Sequence, residues 1–168
     1  MSDLIQSFSV ASGKAPTTLI LGSIPGVASL EASQYYAHPR NAFWPIVCAY
    51  YGIDINQDYN VRLEQLNQNG VALWDVLKNA ERKGSLDSAI KKHSIIANPI
   101  DQWLATQERV KKILLNGGTA KKEFMRHFAS YIKNRDIDVI ACPSTSPAYA
   151  AMRFEEKQQR WHAALSKC

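Results

Sequence analysis

The chain has 168 residues, 46% hydrophobic and 21% charged, which suits one folded domain spanning the whole chain and argues against disorder or a fibre. No stretch approaches the roughly 18 consecutive apolar residues of a membrane helix, and Met1-Ser2-Asp3-Leu4-Ile5 lacks the basic start and apolar core of a signal peptide, so a cytoplasmic monomer with no membrane partner is expected. Cys48, Cys142 and Cys168 are odd in number and show no CxxC spacing, so no disulfide framework, metal or cofactor is implied, while a net charge of +5 favours a polyanionic partner.

Residues 17–21 form a short apolar run that stops at Gly22-Ser23-Ile24-Pro25-Gly26, the pattern of a buried strand and its turn. A polar and aromatic arm follows, Tyr35-Tyr36-Ala37-His38-Pro39-Arg40-Asn41, and leads into a helix over 42–51. A second helix over 61–69 is closed by Gly70, and Val71-Ala72-Leu73-Trp74 is the next strand. Beyond it lie a helix at 100–106, a strand at 111–115, and a helix at 119–131 whose Phe124, Phe128 and Tyr131 share a face. A strand at 137–141 and a helix at 153–166 complete the chain.

This alternation predicts an α/β fold with three layers, α/β/α, around a four-stranded parallel sheet, because parallel strands need helical crossovers that cover both faces. Ligands of such sheets bind beyond the carboxyl ends of the strands. The segments there are Gly22 to Gly26, Asp75 to Lys78, Asn116-Gly117-Gly118, and Cys142 to Pro147. The pairs Lys91-Lys92, Lys111-Lys112 and Lys121-Lys122 read equally well as solvated surface or as part of a basic face.

Taken in order, Gly22-Ser23-Ile24-Pro25-Gly26, Tyr35 to Trp44, Ala72 to Leu77, Gly84-Ser85-Leu86-Asp87-Ser88-Ala89-Ile90, Asn116-Gly117 and Pro143 to Ala148 resemble the hypoxanthine-DNA glycosylases, the deoxyinosine-excising branch of the uracil-DNA glycosylase superfamily. The match runs from about Thr17 to Ala150. Mismatch-specific uracil glycosylases are similar more distantly; there an Asn that positions the attacking water stands in the place of Ser23. Tyr149 stands where the family pattern has Asn.

The resemblance implies excision of a deaminated base from double-stranded DNA. Such chemistry requires flipping the nucleotide, placing a water and stabilising the departing base, tasks that neutral amides and backbone N–H groups can perform without a metal. The resemblance places the catalytic amide at Asn41, which from its spacing alone reads more readily as the cap of the helix that follows. Ser23 is the second catalytic candidate, through its hydroxyl or, with Ile24, through backbone N–H groups; a small residue is also what a tight turn needs.

For the base, Tyr36 is the preferred stacking residue among Tyr35, Tyr36 and Phe43, of which two can be core. His38 can donate to the base or order its own loop, and Asp75 can orient a base edge or a water, or cap its turn. For the DNA backbone, Gly26 permits close approach, Arg40 can clamp a phosphate, and Ser144, Thr145 and Ser146 can present hydroxyls. Tyr149 can wedge the base stack but is expected to pack inward, and Ser85 to Asp87 reads as a helix start.

Two rival functions remain at this level: a uracil or thymine mismatch glycosylase, and a lesion-binding module without turnover. A nucleotide-binding protein ranks last, since the first loop lacks GxGxxG and GxxxxGK[ST] spacing.

Overall fold

A computed structural model describes residues 3–168. In chain order it contains β1 (Leu4–Gln6), β2 (Thr18–Gly22), α1 (Val27–Ala32), α2 (Phe43–Tyr51), α3 (Tyr59–Gln68), β3 (Val71–Asp75) and β4 (Leu77–Glu81). Two 3-10 turns, Asp87–Ala89 and Lys92–Ser94, lead to β5 (Ile96–Ala97), α4 (Ile100–Ala105), β6 (Lys112–Asn116), α5 (Gly118–Ile132), β7 (Asp138–Cys142) and α6 (Phe154–Ser166).

The four strands read from the sequence form one parallel sheet in the order β3-β2-β6-β7. Period-2 alternation sends their side chains to two separate cores. Leu19, Leu21, Trp74, Ile113 and Leu115 pack with Ile100 and Leu104 of α4 and Ala120, Phe124 and Phe128 of α5. Ile20, Leu73 and Leu114 pack on the other face with Phe43, Ile46 and Val47 of α2, Leu66 of α3 and Trp161 of α6. The expected three-layer architecture is therefore present, and each fully buried aliphatic side chain stabilises it by roughly 1.5–3 kcal/mol.

Side-chain hydrogen bonds help to hold α6 in place. The Trp161 indole Nε1–H donates to the Pro143 carbonyl at 2.9 Å, which joins the helix to the loop after β7. The Lys112 ammonium donates to the carbonyls of Ala164 at 2.9 Å, Leu165 at 2.6 Å and Lys167 at 2.9 Å, groups left without partners where a helix ends. No helix among the described residues is long and apolar enough to cross a membrane.

A second, antiparallel sheet, β1-β4-β5, lies outside the sequence-based expectation. Its strands span three, five and two residues, and in β4 only Leu77 and Ala80 are buried, so the periodic signal is too short to read. The junction of β3 with β4 also braces the first loop: the Val76 N–H donates to the Gly22 carbonyl at 2.8 Å and the Leu77 N–H to the Ser23 carbonyl at 3.0 Å. The short α1 is likewise additional; its cap, Gly26, supplies no side-chain hydrogen bond.

The chain leaves β2 toward β3 on one side and leaves β6 toward β7 on the other, so the sheet switches direction between β2 and β6. Such a switch opens a crevice at the strands' carboxyl ends. Gly22, Asp75 and Asn116 end the three strands that meet there, with Gly22 directly paired to Asp75.

Candidate active site

That crevice is a cleft of about 880 Å³. Its walls are the first loop (residues 22–26), the aromatic arm (35–41), the segment 85–87, the β6–α5 turn (116–119) and the loop 144–149. Every site residue expected from the sequence lines it except Phe43.

Phe43 is a correction: it is fully buried in the core, stacked on Tyr36 with ring centroids 4.0 Å apart and in edge contact with Trp44 and Trp161. It backs the cleft without lining it, because the first turn of α2 must bury its apolar face against the sheet. Tyr35 is also core, its hydroxyl donating to the Ser9 carbonyl at 2.8 Å. Tyr36, the preferred stacking residue, stays in the cleft wall with a left-handed backbone, φ 57°. Its hydroxyl is buried without a hydrogen-bond partner among the described residues, the Asn116 amide lying near it but outside bonding geometry. Burial, with the nearby Asp75 charge, pushes its ionisation far above the ordinary phenol range.

Asn41 combines both of its candidate roles. Its Oδ1 accepts the Phe43 N–H at 2.9 Å, which supports the first turn of α2, and its own N–H donates to the His38 carbonyl at 2.9 Å. Among the described residues the carboxamide keeps one Oδ1 lone pair and both Nδ2 hydrogens uncommitted beside the cleft. His38 orders the same loop: its Nδ1 accepts the Arg40 N–H at 3.1 Å. In the neutral ring the proton therefore sits on Nε2, leaving a donor available. The Arg40 side chain is exposed at the rim and makes no ion pair among the described residues.

In the first loop, Ser23 donates its hydroxyl to Asp87, with both carboxylate oxygens at 3.0 Å. Asp87 belongs to the segment read as a helix start; only a 3-10 turn forms there, and the Thr119 side chain lies near its carboxylate. Ser85 accepts the Val27 N–H at 2.9 Å, so this segment is fastened to the first loop rather than starting an independent helix. Ile24 is buried beneath the loop, and Gly26 faces Ser85, 3.5 Å from where a Cβ would meet its hydroxyl.

Gly22 admits no side chain: a Cβ would lie 2.6 Å from Asp75 Oδ1 and 3.1 Å from the Tyr36 hydroxyl. Asp75 is 4% exposed, and its Oδ2 has no hydrogen-bond partner among the described residues. Its backbone carbonyl, by contrast, accepts the Asn98 side-chain amide at 2.8 Å. Desolvation, reinforced by the like charge of Asp87 and opposed by Arg82, raises its pKa to about 7. Burial likewise raises that of Asp87, against the pull of the neighbouring hydroxyls and Arg82.

Arg82 carries no signal in the sequence, where Glu81-Arg82-Lys83 looks like ordinary solvated charge. It is 2% exposed, its Nη2 donating to the Pro25 carbonyl at 2.6 Å and its Nε to the Gly84 carbonyl at 2.7 Å. It clamps the first loop to the segment that carries Asp87, a role visible only once β4 is placed.

The opposite wall is fixed by Asn116, part of the sequence motifs but without an expected role. Its Nδ2 donates to the Thr145 hydroxyl and its Oδ1 accepts the Thr145 N–H, both at 3.0 Å. Thr145 is thus a second correction: it is 1% exposed, and its carbonyl accepts the Ala42 N–H at 2.9 Å, so it joins the two halves of the cleft and cannot meet a phosphate. Gly117, at φ 95°, turns the chain where a Cβ would meet Ser144 Cβ at 3.0 Å.

Ser144 and Ser146 keep the expected role open. Each accepts a backbone N–H at 3.2 Å, from Ser146 and Ala148 respectively, which leaves the hydroxyl hydrogens to donate outward. Tyr149 does not pack inward: it is 39% exposed at the rim, with the Lys157 ammonium 5.2 Å from its ring centre. The loop is too tightly pinned by Thr145 and Trp161 to turn that side chain into the core.

Residues 10–165 match the family model of the Uracil DNA glycosylase superfamily. The chain belongs to that superfamily. Its similarity to a hypoxanthine DNA glycosylase from Methanosarcina acetivorans is 31% identity over 149 residues, 88% of this chain and 89% of the relative. A hypoxanthine DNA glycosylase from Methanosarcina barkeri is 41% identical over 100 residues, spanning 59% of this chain but only 62% of that relative. The solution NMR structure of a Methanosarcina acetivorans protein described as a candidate uracil DNA glycosylase superposes with a TM-score of 0.79 at 27% identity, covering 95% of each chain. The superfamily is one of DNA glycosylases, the enzyme class expected from the sequence motifs.

Proposed function

We propose that this chain releases hypoxanthine from DNA: deoxyinosine flips into the cleft, water adds to C1′, the C1′–N9 bond breaks with its electron pair leaving on the base, and the proton that the water gives up ends on that base. The observation that carries this reading is the Asn41 carboxamide, which lines the cleft beside Tyr36 with one oxygen lone pair uncommitted among the described residues. That lone pair can accept from a water and aim its oxygen at the sugar without introducing charge. Tyr36, supported from behind by Phe43, offers a ring face for the purine, and a base–aromatic stack contributes about 1–3 kcal/mol.

At the rim, Arg40 and the Ser144 and Ser146 hydroxyls can hold phosphates flanking the flipped nucleotide. A mispaired deoxyinosine is cheaper to extrude than a base in a normal pair, which favours the lesion before any contact is made. The relatives named hypoxanthine DNA glycosylases support the choice of base. Ser23 weighs against uracil as the main substrate, since its hydroxyl donates to Asp87 where the mismatch enzymes have an amide.

The test is base release from otherwise identical duplexes carrying deoxyinosine, deoxyuridine or deoxyxanthosine, followed by alkaline strand scission. Release of hypoxanthine in preference to uracil is expected. Release of uracil without hypoxanthine would defeat the proposal, and tight lesion binding with no free base would instead favour a module without turnover.

A further inference from the structure

Asp75 is one of the buried polar groups that the fold leaves unsatisfied among the described residues. It is 4% exposed, and it makes no ion pair among the described residues although Arg82 is close enough to influence it. The guanidinium Nε and Nη2 are committed to the carbonyls of Gly84 and Pro25. Among the described residues Asp75 Oδ2 has no hydrogen-bond partner, and the Tyr36 hydroxyl, also unpartnered among them, lies against the same glycine, Gly22. A buried carboxyl group left in this state is strongly disfavoured unless it is neutral or meets a ligand. Asp75 is among the residues that line the cleft.

We propose that the Asp75 carboxyl, in its neutral form, donates a hydrogen bond to the 6-keto oxygen of a deaminated purine and so distinguishes hypoxanthine from adenine. This rests on the reading of the cleft as a base pocket. Deamination replaces the amino donor at position 6 of adenine with an acceptor oxygen. A carboxylic acid O–H satisfies that oxygen, whereas adenine presents a donor there and leaves the acid O–H without an acceptor. The bond also strengthens as negative charge collects on the departing base, so it acts in the transition state as well as in binding. Guanine carries the same oxygen, so the discrimination supplied is specifically against adenine.

Desolvation and one of the groups that face Asp75 favour a neutral acid, and Arg82 opposes it. The facing groups are Asp87, fastened to Ser23 across the first loop, Arg82 of the segment after β4, and the phenols of Tyr35 and Tyr36 from the aromatic arm. The carboxylate Asp87 disfavours a second negative charge beside it, and desolvation acts in the same direction.

The experiment measures kcat and KM for deoxyinosine duplex from pH 5.5 to 8.5 in the unaltered chain, Asp75→Asn and Asp75→Ala, with thermal unfolding to establish that each variant is folded. The unaltered chain should lose activity as pH rises above about 7. Asp75→Asn, which keeps a donor that does not titrate, should be flat with pH; Asp75→Ala should lose roughly a hundredfold in kcat at pH 6. A pH decline that persists in Asp75→Asn, a profile in the unaltered chain that is flat, or a folded Asp75→Ala with full activity would overturn the inference while leaving the glycosylase reading intact. An unaltered chain that frees no base at any pH would defeat both.

Discussion

Replacing Asp75 by Asn should change how stability depends on pH, independently of any activity. Burial raises the Asp75 pKa from 3.8 to about 7, so the native state holds a proton that the unfolded chain has already released. A raised acid makes the native state bind more protons than the unfolded one between those two values, and stability therefore falls as pH rises through the interval. Between pH 5 and pH 8 the unfolded carboxyl stays ionised while the native one ionises near 7, a span of about two units at about 1.36 kcal/mol each, or roughly 3 kcal/mol. Asparagine cannot ionise, so this contribution disappears. Denaturant unfolding of both proteins at pH 5, 6, 7 and 8 checks it, since other titrating groups largely cancel in the difference. The unfolding free energy of Asp75→Asn should gain on that of the unaltered chain by about 3 kcal/mol from the acid to the alkaline end. Parallel curves would refute the reasoning, because they would mean that the native carboxyl is no harder to ionise than the unfolded one.

The same geometry sets the outcome of three other substitutions. Asn41→Ala should abolish most excision of hypoxanthine while costing only about 1 kcal/mol of stability for the lost turn at Phe43, read by single-turnover kinetics alongside denaturant unfolding. Gly22→Ala should destabilise by roughly 1–3 kcal/mol in denaturant unfolding, since its Cβ would meet Asp75 Oδ1 at 2.6 Å and the β2–β3 pairing leaves little room to shift. Arg82→Met should cost roughly 2–4 kcal/mol by freeing the Pro25 and Gly84 carbonyls, and should move the pH-activity decline upward, because a cation that favours the Asp75 carboxylate is gone.

The legible parts of the molecule are those whose signal is local. Leu19-Ile20-Leu21 reads as a buried strand without its sheet neighbours Ile113 and Leu115, because the run is apolar and ends at Gly22; Phe124 and Phe128 declare a helix face by spacing alone. Asn41 and Tyr36 stand out because they follow a strand-end turn in a recognisable motif. Phe43, in the same motif, is misplaced by sequence reasoning because the sequence does not say which face of α2 meets the sheet. Thr145 misleads for a related reason: a hydroxyl in a serine-rich loop looks available until Asn116, 29 residues earlier, is seen to occupy it.

What the sequence determined by itself is the alternating strand and helix order, the three-layer class, and the chemical character of the loops at the strand ends. These follow from hydrophobic periodicity and turn chemistry, which act over a few residues. Only the tertiary structure decided the electrostatics of the cleft. Asp75 becomes an isolated acid because Arg82 is turned to backbone carbonyls, Asp87 is drawn to Ser23 across 64 residues, and Gly22 leaves no gap for solvent. A carboxyl group's charge state depends on what surrounds it in space, and nothing in its immediate sequence carries that information.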